Sequence, residues 1–414
     1  MKSFLSVLNL MMVFSFIDCP LAAGAGTQER EAALGQAIPV SALPSAPEVR
    51  AGTFLGIFTP TQISISIEDQ PGSIESIIKQ SHQLKGMTIR VAWDEIEPED
   101  GRYKWEEMDR MIATVRSHGL MMSLEMLAGW RTPKWVYRAG AQIFETNPKS
   151  SGSEPSELRG FWGRMDQCPV PWDEMYKRYW RRFVSKAAER YGSEPFVCVN
   201  IHGFNHVLEM HMPRSFQMPP SAEDFERFQR LGGTAARAEK EWAEWIDFYA
   251  EQFPKQRLCL VMSPILQQAK DPSTDDLMTR IASYALGKHP GRIVLMTHTL
   301  SGKKDQKDAM AVKVCVAHPE VPNIQESVGT FGKKGGHPMG SVEMYIYNMR
   351  QLSPVFIRVA HLDLENKELM DRIATEYERA CKMTLTDYQK DLEKRGLYNN
   401  QGSDDNLDKF TKKK

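Results

Sequence analysis

Eight short apolar runs recur along the chain, and a stretch with helical periodicity follows each of them. Parallel strands that are buried on both faces read as continuous apolar runs, because neither face of the sheet meets water. The count and the alternation predict an α/β fold, a (β/α)8 TIM barrel built as a single domain. An open doubly wound sheet is the alternative, but no glycine-rich dinucleotide-binding turn follows the first run.

The spacing of apolar residues sets the expected boundaries of these elements. The predicted strands are residues 54–60, 87–93, 120–127, 196–201, 258–262, 293–297, 323–328 and 355–360. The predicted helices are residues 73–84, 105–117, 175–190, 238–253, 275–286, 305–318, 341–352 and 369–382.

Two of the predicted connections, 128–174 after strand three and 202–237 after strand four, are much longer than the others. In a parallel barrel both lie on the C-terminal face, where long loops build binding clefts. The first of them is rich in aromatic residues: Trp130, Trp135, Tyr137, Phe161, Trp162 and Trp172. The rings suit stacking on sugars, and the alternative is a loop that packs on itself around a small core.

The two ends of the chain differ from its middle. Residues 1–25 combine Lys2, an apolar run and small residues at 23–25, which predicts a cleaved signal peptide and a secreted or periplasmic protein. An uncleaved membrane anchor is the alternative for this run. We expect residues 26–50 to be a flexible lead-in, 51–397 the barrel, and 398–414 a disordered charged tail.

Charge and cysteine content narrow the function. The formal net charge of −1 and the pI of about 6.8 give no basis for binding nucleic acid or an anionic membrane surface. The five cysteines beyond the signal peptide have wide, irregular spacings and form no metal motif. We expect mostly free core thiols, with one disulfide as the alternative, and no cofactor.

A neutral, exported barrel with aromatic loops fits glycoside hydrolysis, which uses two carboxyl groups and no cofactor. Candidate carboxyl groups must lie at the C-terminal ends of strands, where a substrate can reach them. Glu326 in predicted strand seven is the candidate nucleophile. Glu209, in a polar segment just after strand four, is the candidate acid/base, and Glu125 in strand three is its rival.

Other polar and aromatic residues near strand ends complete the predicted site. Arg90 can hold a nucleophilic carboxylate ionised through a charge-assisted hydrogen bond. The predicted substrate-binding residues are Arg90, Trp93, Trp130, His202, Asn205, His298 and His361. A zinc site formed by His202, His206, Glu209 and His211 is a weaker alternative, because the spacing matches no compact ligand motif.

The stretch from Arg90 to Asp109 carries a family resemblance. Arg90-Val91-Ala92-Trp93, Ile96 to Tyr103 (IEPEDGRY), Trp105 and Met108-Asp109, with Gly119 and Pro133-Lys134-Trp135 further on, resemble the N-terminal barrel of the family 42 β-galactosidases. The pattern is shared more loosely with their clan of retaining glycosidases. The resemblance implies an acid/base at the end of strand four and a nucleophile at the end of strand seven, which fits Glu209 and Glu326.

We therefore predict a retaining glycoside hydrolase, β-galactosidase-like, that acts on an oligo- or polysaccharide. The clan usually has Asn directly before the acid/base Glu, whereas here Asn200 is followed by Ile201. This difference keeps a catalytically inactive carbohydrate-binding barrel as the alternative, with a zinc-dependent hydrolase as a second one. The sequence leaves the sugar, the linkage and the oligomeric state open.

Overall fold

The computed structural model describes residues 55–58, 78, 84–145, 167–205, 210, 212, 222–263, 265, 276–327, 340–352, 354, 356–359 and 367–398. The predicted signal peptide and lead-in, and most of the predicted first helix, lie outside the described residues. So does the predicted tail, except for Tyr398, whose hydroxyl donates to Asp305 Oδ2 at 2.8 Å.

Eight parallel strands close into a barrel, which confirms the predicted fold and excludes the open sheet. The barrel strands are β1 Leu55–Phe58, β2 Leu84–Ala92, β3 Met121–Leu127, β6 Phe196–Asn200, β7 Leu258–Met262, β8 Ile293–Leu300, β9 Asn323–Ser327 and β10 Phe356–Val359. The first strand pairs with the last, β1 with β10. A separate antiparallel hairpin, β4 Ile143–Glu145 and β5 Gln167–Pro169, lies in the connection after β3.

Helices follow the strands along the chain. They are α1 Trp93–Ile96, α2 Glu106–Ser117, α3 Lys134–Arg138, α4 Glu174–Tyr191, α5 Ala222–Arg230, α6 Ala235–Gln252, α7 Leu277–Lys288, α8 Met310–Ala317, α9 Val342–Leu352, α10 Lys367–Cys381 and α11 Leu385–Lys394. Side-chain caps set several starts: Asp173 accepts from the amide of Tyr176 at α4, and Thr234 from that of Arg237 at α6.

Several predicted boundaries differ from those observed, among them the following two. Leu84 begins β2, whereas we predicted that it would end the first helix. The sixth predicted helix begins at Met310 and not at Asp305, because local side-chain hydrogen bonds hold the preceding residues in a turn. Asp305 accepts from the amide of Lys307, and the amide of Gln306 donates to Asn348.

The inside of the barrel has an apolar floor and a polar upper part. Side chains of a strand alternate between the lumen and the helices, so every second residue faces inward. A small apolar cluster separate from the main core fills the floor: Met121, Cys198, Cys259, Val261, Val294, Met296 and Ile324. Nearer the C-terminal ends of the strands, charged and polar residues replace these apolar ones, which positions the candidate site.

The aromatic connection after β3 packs largely on the protein itself. Trp135 is buried and meets the rings of Trp93 and Tyr179 edge to face, and Trp172 packs on Phe228. For Trp135 and Trp172 the self-packed alternative is therefore correct. Phe161 and Trp162 lie outside the described residues.

None of the five cysteines in the described ranges, Cys168, Cys198, Cys259, Cys315 and Cys381, forms a disulfide. The first four are buried, as we expected for core thiols. Within the described ranges we find no helix with the length and apolar character that a membrane span requires.

Candidate active site

Glu125 lies at the centre of the polar upper part of the barrel, and its side chain is fully buried. Arg90 on β2 is its register partner across the β2–β3 pair, and Arg90 Nε donates to Glu125 Oε2 at 2.8 Å. Asn200, the last residue of β6, donates from Nδ2 to Glu125 Oε1 at 2.9 Å. His202 Nε2 lies 3.6 Å from the same oxygen. Both carboxylate oxygens of Glu125 therefore accept hydrogen bonds.

The surroundings of Glu125 favour its charged form. Burial by itself would raise the pKa of this carboxyl, but Arg90, His202 and Arg358 outweigh burial and hold its pKa well below its usual range. A carboxyl group that stays ionised at neutral pH cannot supply a proton to a leaving group. Its lowered pKa favours a structural role for Glu125, and the choice between Glu209 and Glu125 as the acid/base stays a prediction.

Glu326 lies near the C-terminal end of β9 and differs from Glu125 in its access to solvent. Its side chain is 13% exposed, and Oε2 lies 3.1 Å from Nε2 of His298 on β8. Arg358, its register partner on β10, brings Nη1 to 3.7 Å from the same oxygen. Of these two lumen carboxylates, only Glu326 has solvent-exposed side-chain area.

Burial raises the pKa of Glu326, although His298, Arg90 and Arg358 act in the opposite direction. The negative charge of Glu125 also contributes to the rise. The two neighbouring carboxyl groups therefore differ in pKa, because Glu125 accepts several hydrogen bonds from cationic and amide groups while Glu326 is largely desolvated without them.

One guanidinium links the two carboxylates. Arg358 Nη1 is 3.6 Å from Glu125 Oε2 and 3.7 Å from Glu326 Oε2. The two oxygens are therefore at most about 7.3 Å apart, the sum of those distances. Sequence reasoning missed Arg358, and the signal was a lone arginine in an otherwise apolar predicted strand, where an unpaired charge is costly.

The register of the sheet places Arg90 against Glu125, and the charge of Arg90 also lowers the pKa of Glu326. We predicted that it would bind substrate or hold the nucleophile Glu326. Because the β2–β3 pairing places it beside Glu125, its guanidinium binds that carboxylate, and the residue is buried.

Three further predicted substrate-binding residues have structural contacts. Trp93 is fully buried in the core, so it cannot stack on a sugar, and we assign it a packing role. Trp130 is buried too, and the guanidinium of Arg131 lies 5.1 Å from its ring centre. Asn205 Oδ1 accepts from the amide of Gly203 at 3.2 Å, which stabilises the turn after β6. Gly203 has φ +142°, and a Cβ there would lie 2.4 Å from the ring of Trp245.

His202 and His298 do lie in the site, next to the carboxylates described above. Glu209, the predicted acid/base, and His361 lie outside the described residues. The same holds for His206 and His211, so the zinc hypothesis has only His202 within the part of the chain that the structure describes. In that part, no group of three or more His, Cys, Asp or Glu side chains could hold a metal ion.

The buried carboxylate of Glu97 connects several parts of the loop after β2. Its fully buried carboxylate accepts hydrogen bonds from Trp93 Nε1 at 2.8 Å and from the amide of Gly101 at 2.9 Å, and it pairs with Arg182. The indole of Trp135 donates to the Glu97 carbonyl at 2.9 Å. Glu97 is thus a structural residue of the loop and takes no part in the lumen site.

The segment that contains this loop is similar to known proteins. Residues 70–230 match the family model of glycoside hydrolase family 42, described as β-galactosidase. The chain resembles the family 42 β-galactosidases. It is 31% identical over 130 residues to the β-galactosidase of Thermus thermophilus, covering 30% of this chain and 18% of that enzyme. It is 29% identical over 119 residues to β-galactosidase GanA of Bacillus subtilis, covering 29% of this chain and 16% of that enzyme.

The chain thus spans less than a fifth of the length of these two curated relatives. Among solved structures, the β-galactosidase of the psychrophilic Marinomonas ef1 aligns with a TM-score of 0.47 and 13% identity over 86% of this chain and 61% of that one. Xylanase B of Clostridium stercorarium F9 aligns with a TM-score of 0.42 and 12% identity over 77% of this chain and 88% of that one.

Proposed function

We propose that this protein is a glycoside hydrolase that cleaves O-glycosidic bonds of a carbohydrate with retention of configuration. The observation that carries the proposal is Glu326: a desolvated but reachable carboxyl near the C-terminal end of a barrel strand, beside His298 and Arg358. Active sites of this fold lie at that end of the barrel. The resemblance of residues 70–230 to β-galactosidases supports the same reaction class.

The proposed chemistry has two displacements. First, a Glu326 oxygen bonds to the anomeric carbon while the bond to the leaving oxygen breaks, and that oxygen takes a proton from Glu209. Then Glu209, now a carboxylate, removes a proton from water, whose oxygen bonds to the anomeric carbon and releases Glu326. His298, 3.1 Å from Glu326, can donate to a sugar hydroxyl or to the attacking carboxylate.

A covalent trap tests the role of Glu326. A panel of aryl glycosides identifies the sugar that the protein turns over, and the 2-deoxy-2-fluoro analogue of that sugar then slows release of the intermediate. We expect mass spectrometry of peptides to locate the sugar on Glu326. A label on another carboxylate would remove the role that we assign to this residue.

The role of Glu209 has a separate test. In Glu209→Ala, aryl glycosides with good leaving groups should still glycosylate Glu326, and azide, which needs no general base, should restore turnover as the glycosyl azide. The matched control is Glu209→Gln, which keeps the side-chain size. If azide has no effect and turnover is normal, the acid/base is another residue.

One observation favours a second candidate function, a carbohydrate-binding barrel without turnover. The residue after Asn200, where the clan has its acid/base, is Ile201, and Ile201 is fully buried in the core. If isothermal calorimetry detects glycan binding while the complete aryl glycoside panel shows neither turnover nor a trapped intermediate, this second function replaces the first.

We also propose export of the protein, on the basis of residues 1–25. Expression of the full chain and N-terminal sequencing of the product should give a start near residue 26. A product that keeps Met1 would contradict cleavage.

A further inference from the structure

The side chain of Arg358 extends across the barrel lumen. The residue lies on β10, the last barrel strand, and its side chain is fully buried. Its Nη2 donates to Ser123 Oγ on β3 at 3.2 Å, although β1 and β2 lie between β10 and β3 in the sheet. The guanidinium therefore reaches into the lumen and connects strands that are not neighbours.

The two terminal nitrogens of the Arg358 guanidinium have different partners. Nη1 lies between the Oε2 atoms of Glu125 and Glu326, at 3.6 and 3.7 Å. Nη2 is held by Ser123, whose hydroxyl in turn lies 2.9 Å from that of Thr88. A planar, forked cation can make both contacts at once, whereas the point charge of a lysine cannot.

We propose that Arg358 is a positioning residue of the hydrolytic site: it orients the Glu326 carboxylate and balances its charge, with Glu125 as the permanent counter-ion of Arg358. This inference rests on the proposed function. It adds a residue and a role that follow from the geometry of the lumen.

The charge of Glu326 changes during the proposed reaction. Glu326 is an anion before it attacks and a neutral ester in the intermediate, so its cationic partner would lose its counter-charge midway through the cycle. Breaking a buried ion pair by removing one partner is costly. Because Glu125 stays ionised beside Arg358, the guanidinium keeps a carboxylate partner in both states.

The groups that face Glu326 come from four strands. Arg358 is on β10, His298 on β8, Arg90 on β2 and Glu125 on β3. Arg90 and Arg358 both lower the pKa of Glu326, but Arg90 hydrogen-bonds to Glu125, whereas Arg358 Nη1 also lies 3.7 Å from Glu326 Oε2. Because any cation 3.7 Å from Glu326 lowers the pKa of this carboxyl, the dependence of kcat/KM on pH distinguishes a positioning role from a merely structural contact.

The experiment measures the titration of Glu326 itself. Protein labelled with 13C at the glutamate carboxyl carbons is followed by NMR across pH, and Glu326→Gln assigns the resonance. In Arg358→Met we expect the pKa of Glu326 to rise by about 1 to 3, because a cation within about 4 to 6 Å is lost. Arg358→Lys should recover part of this change, and Ser123→Ala should give a smaller rise.

The matched control is Arg292→Met. Arg292 is partly buried and donates to the carbonyls of Ala250, Phe253 and Gln256, next to the N-terminal end of β8. Its loss should lower stability and leave the pKa of Glu326 unchanged. If Arg358→Met does not fold, Arg358→Lys and Ser123→Ala decide the question, and an unchanged Glu326 titration in the folded variants overturns the proposal.

Kinetics separates this inference from the proposed function. With a substrate that the wild type hydrolyses, the acid limb of kcat/KM should move upward in Arg358→Lys by the same amount as the NMR titration. If the wild type hydrolyses no glycoside but the titration moves as expected, the function fails and the positioning role stands. If the Arg358 variants hydrolyse the substrate and the acid limb of kcat/KM does not move, the positioning role is wrong and the proposed function stands.

Discussion

Glu97 and Glu326 are both largely withdrawn from water, yet their surroundings differ in kind. Glu97, in the loop after β2, accepts hydrogen bonds from an indole, a backbone amide and Arg182. Glu326, in the lumen, has His298 at 3.1 Å and Arg358 at 3.7 Å. A buried carboxylate whose oxygens are satisfied stabilises the fold, whereas one that is left short of donors is available for chemistry. The loop therefore carries the family resemblance, and the lumen holds the carboxyl group for which we propose a chemical role.

The largest expected difference between Glu97 and Glu326 is in the turnover that remains after each charge is removed. In Glu326→Gln we expect kcat to fall on the order of 10⁴-fold, as when a reacting residue is lost, with no loss of stability. Turnover per folded molecule in Glu97→Gln should stay within about threefold of the wild type, since small effects away from the reacting groups are typical. Stopped assays on the aryl glycoside that the wild type prefers would measure both. Comparable losses in the two variants would abolish the distinction.

Stability should show the opposite order. Glu97→Gln removes the charge that accepts from Trp93 and pairs with Arg182, which keeps its contact with Asp100, so we expect the free energy of unfolding in urea to fall by about 1.5 to 3 kcal/mol. Glu99→Gln is the matched control in the same loop, because Glu99 and its partner Arg102 are exposed. The free energy of unfolding of Glu99→Gln should fall by at most about 1 kcal/mol. A Glu97→Gln variant as stable as the control would show that the buried carboxylate does not hold the loop.

The two indoles that donate to Glu97 allow a charged and an uncharged acceptor of the same residue to be compared. Trp93 donates to the charged carboxylate, and Trp135 donates to the backbone carbonyl of the same residue. Replacement by Phe removes the donor in each case and keeps an aromatic ring. The hydrogen-bond part of the loss should be about 1.5 to 3 kcal/mol for Trp93→Phe and about 0.5 to 1.5 kcal/mol for Trp135→Phe, both in urea unfolding. The reverse order would contradict a charge-assisted role for Glu97.

The smallest expected effect is a difference in how stability depends on pH. The depressed pKa of Glu125 contributes stability that is present above its ordinary value of 4.5 and is lost as pH falls toward the folded pKa. The raised pKa of Glu326 contributes stability that is present below 4.5 and is lost as pH rises through the folded pKa.

Urea unfolding at several pH values from 4 to 8 therefore gives opposite trends for the two neutral variants. Relative to the wild type, Glu125→Gln should become less stable as pH rises, and Glu326→Gln should become more stable. Parallel trends would show that the two carboxyl groups share one environment.

Much of the fold was predictable because it depends on local periodicity. Apolar runs of strand length that alternate with amphipathic helices gave the closed barrel and most element boundaries. The errors fell where side-chain hydrogen bonds override propensity, as in the turn at Asp305 to Ala309.

The site was less predictable, because strand register and not sequence position decides which charges meet. Arg90 was expected to hold Glu326 ionised, and the β2–β3 register, which the sequence does not show, also places it in a salt bridge with Glu125. Arg358 carries no local signal beyond its charge, and only closure of the barrel reveals its two carboxylate neighbours. The pairing of Glu326 with Glu209 stays a prediction.

Closure by the last strand has a consequence for how the protein matures. Arg358 and Ser123 are 235 residues apart in sequence, so their contact forms only after almost the whole barrel has been synthesised. Until β10 docks between β1 and β9, the two lumen carboxylates lack the cation that they share. Arg358 therefore completes the charge cluster only when β10 pairs with β1 and β9, whereas Glu125 contacts Arg90 and Asn200 on earlier strands directly.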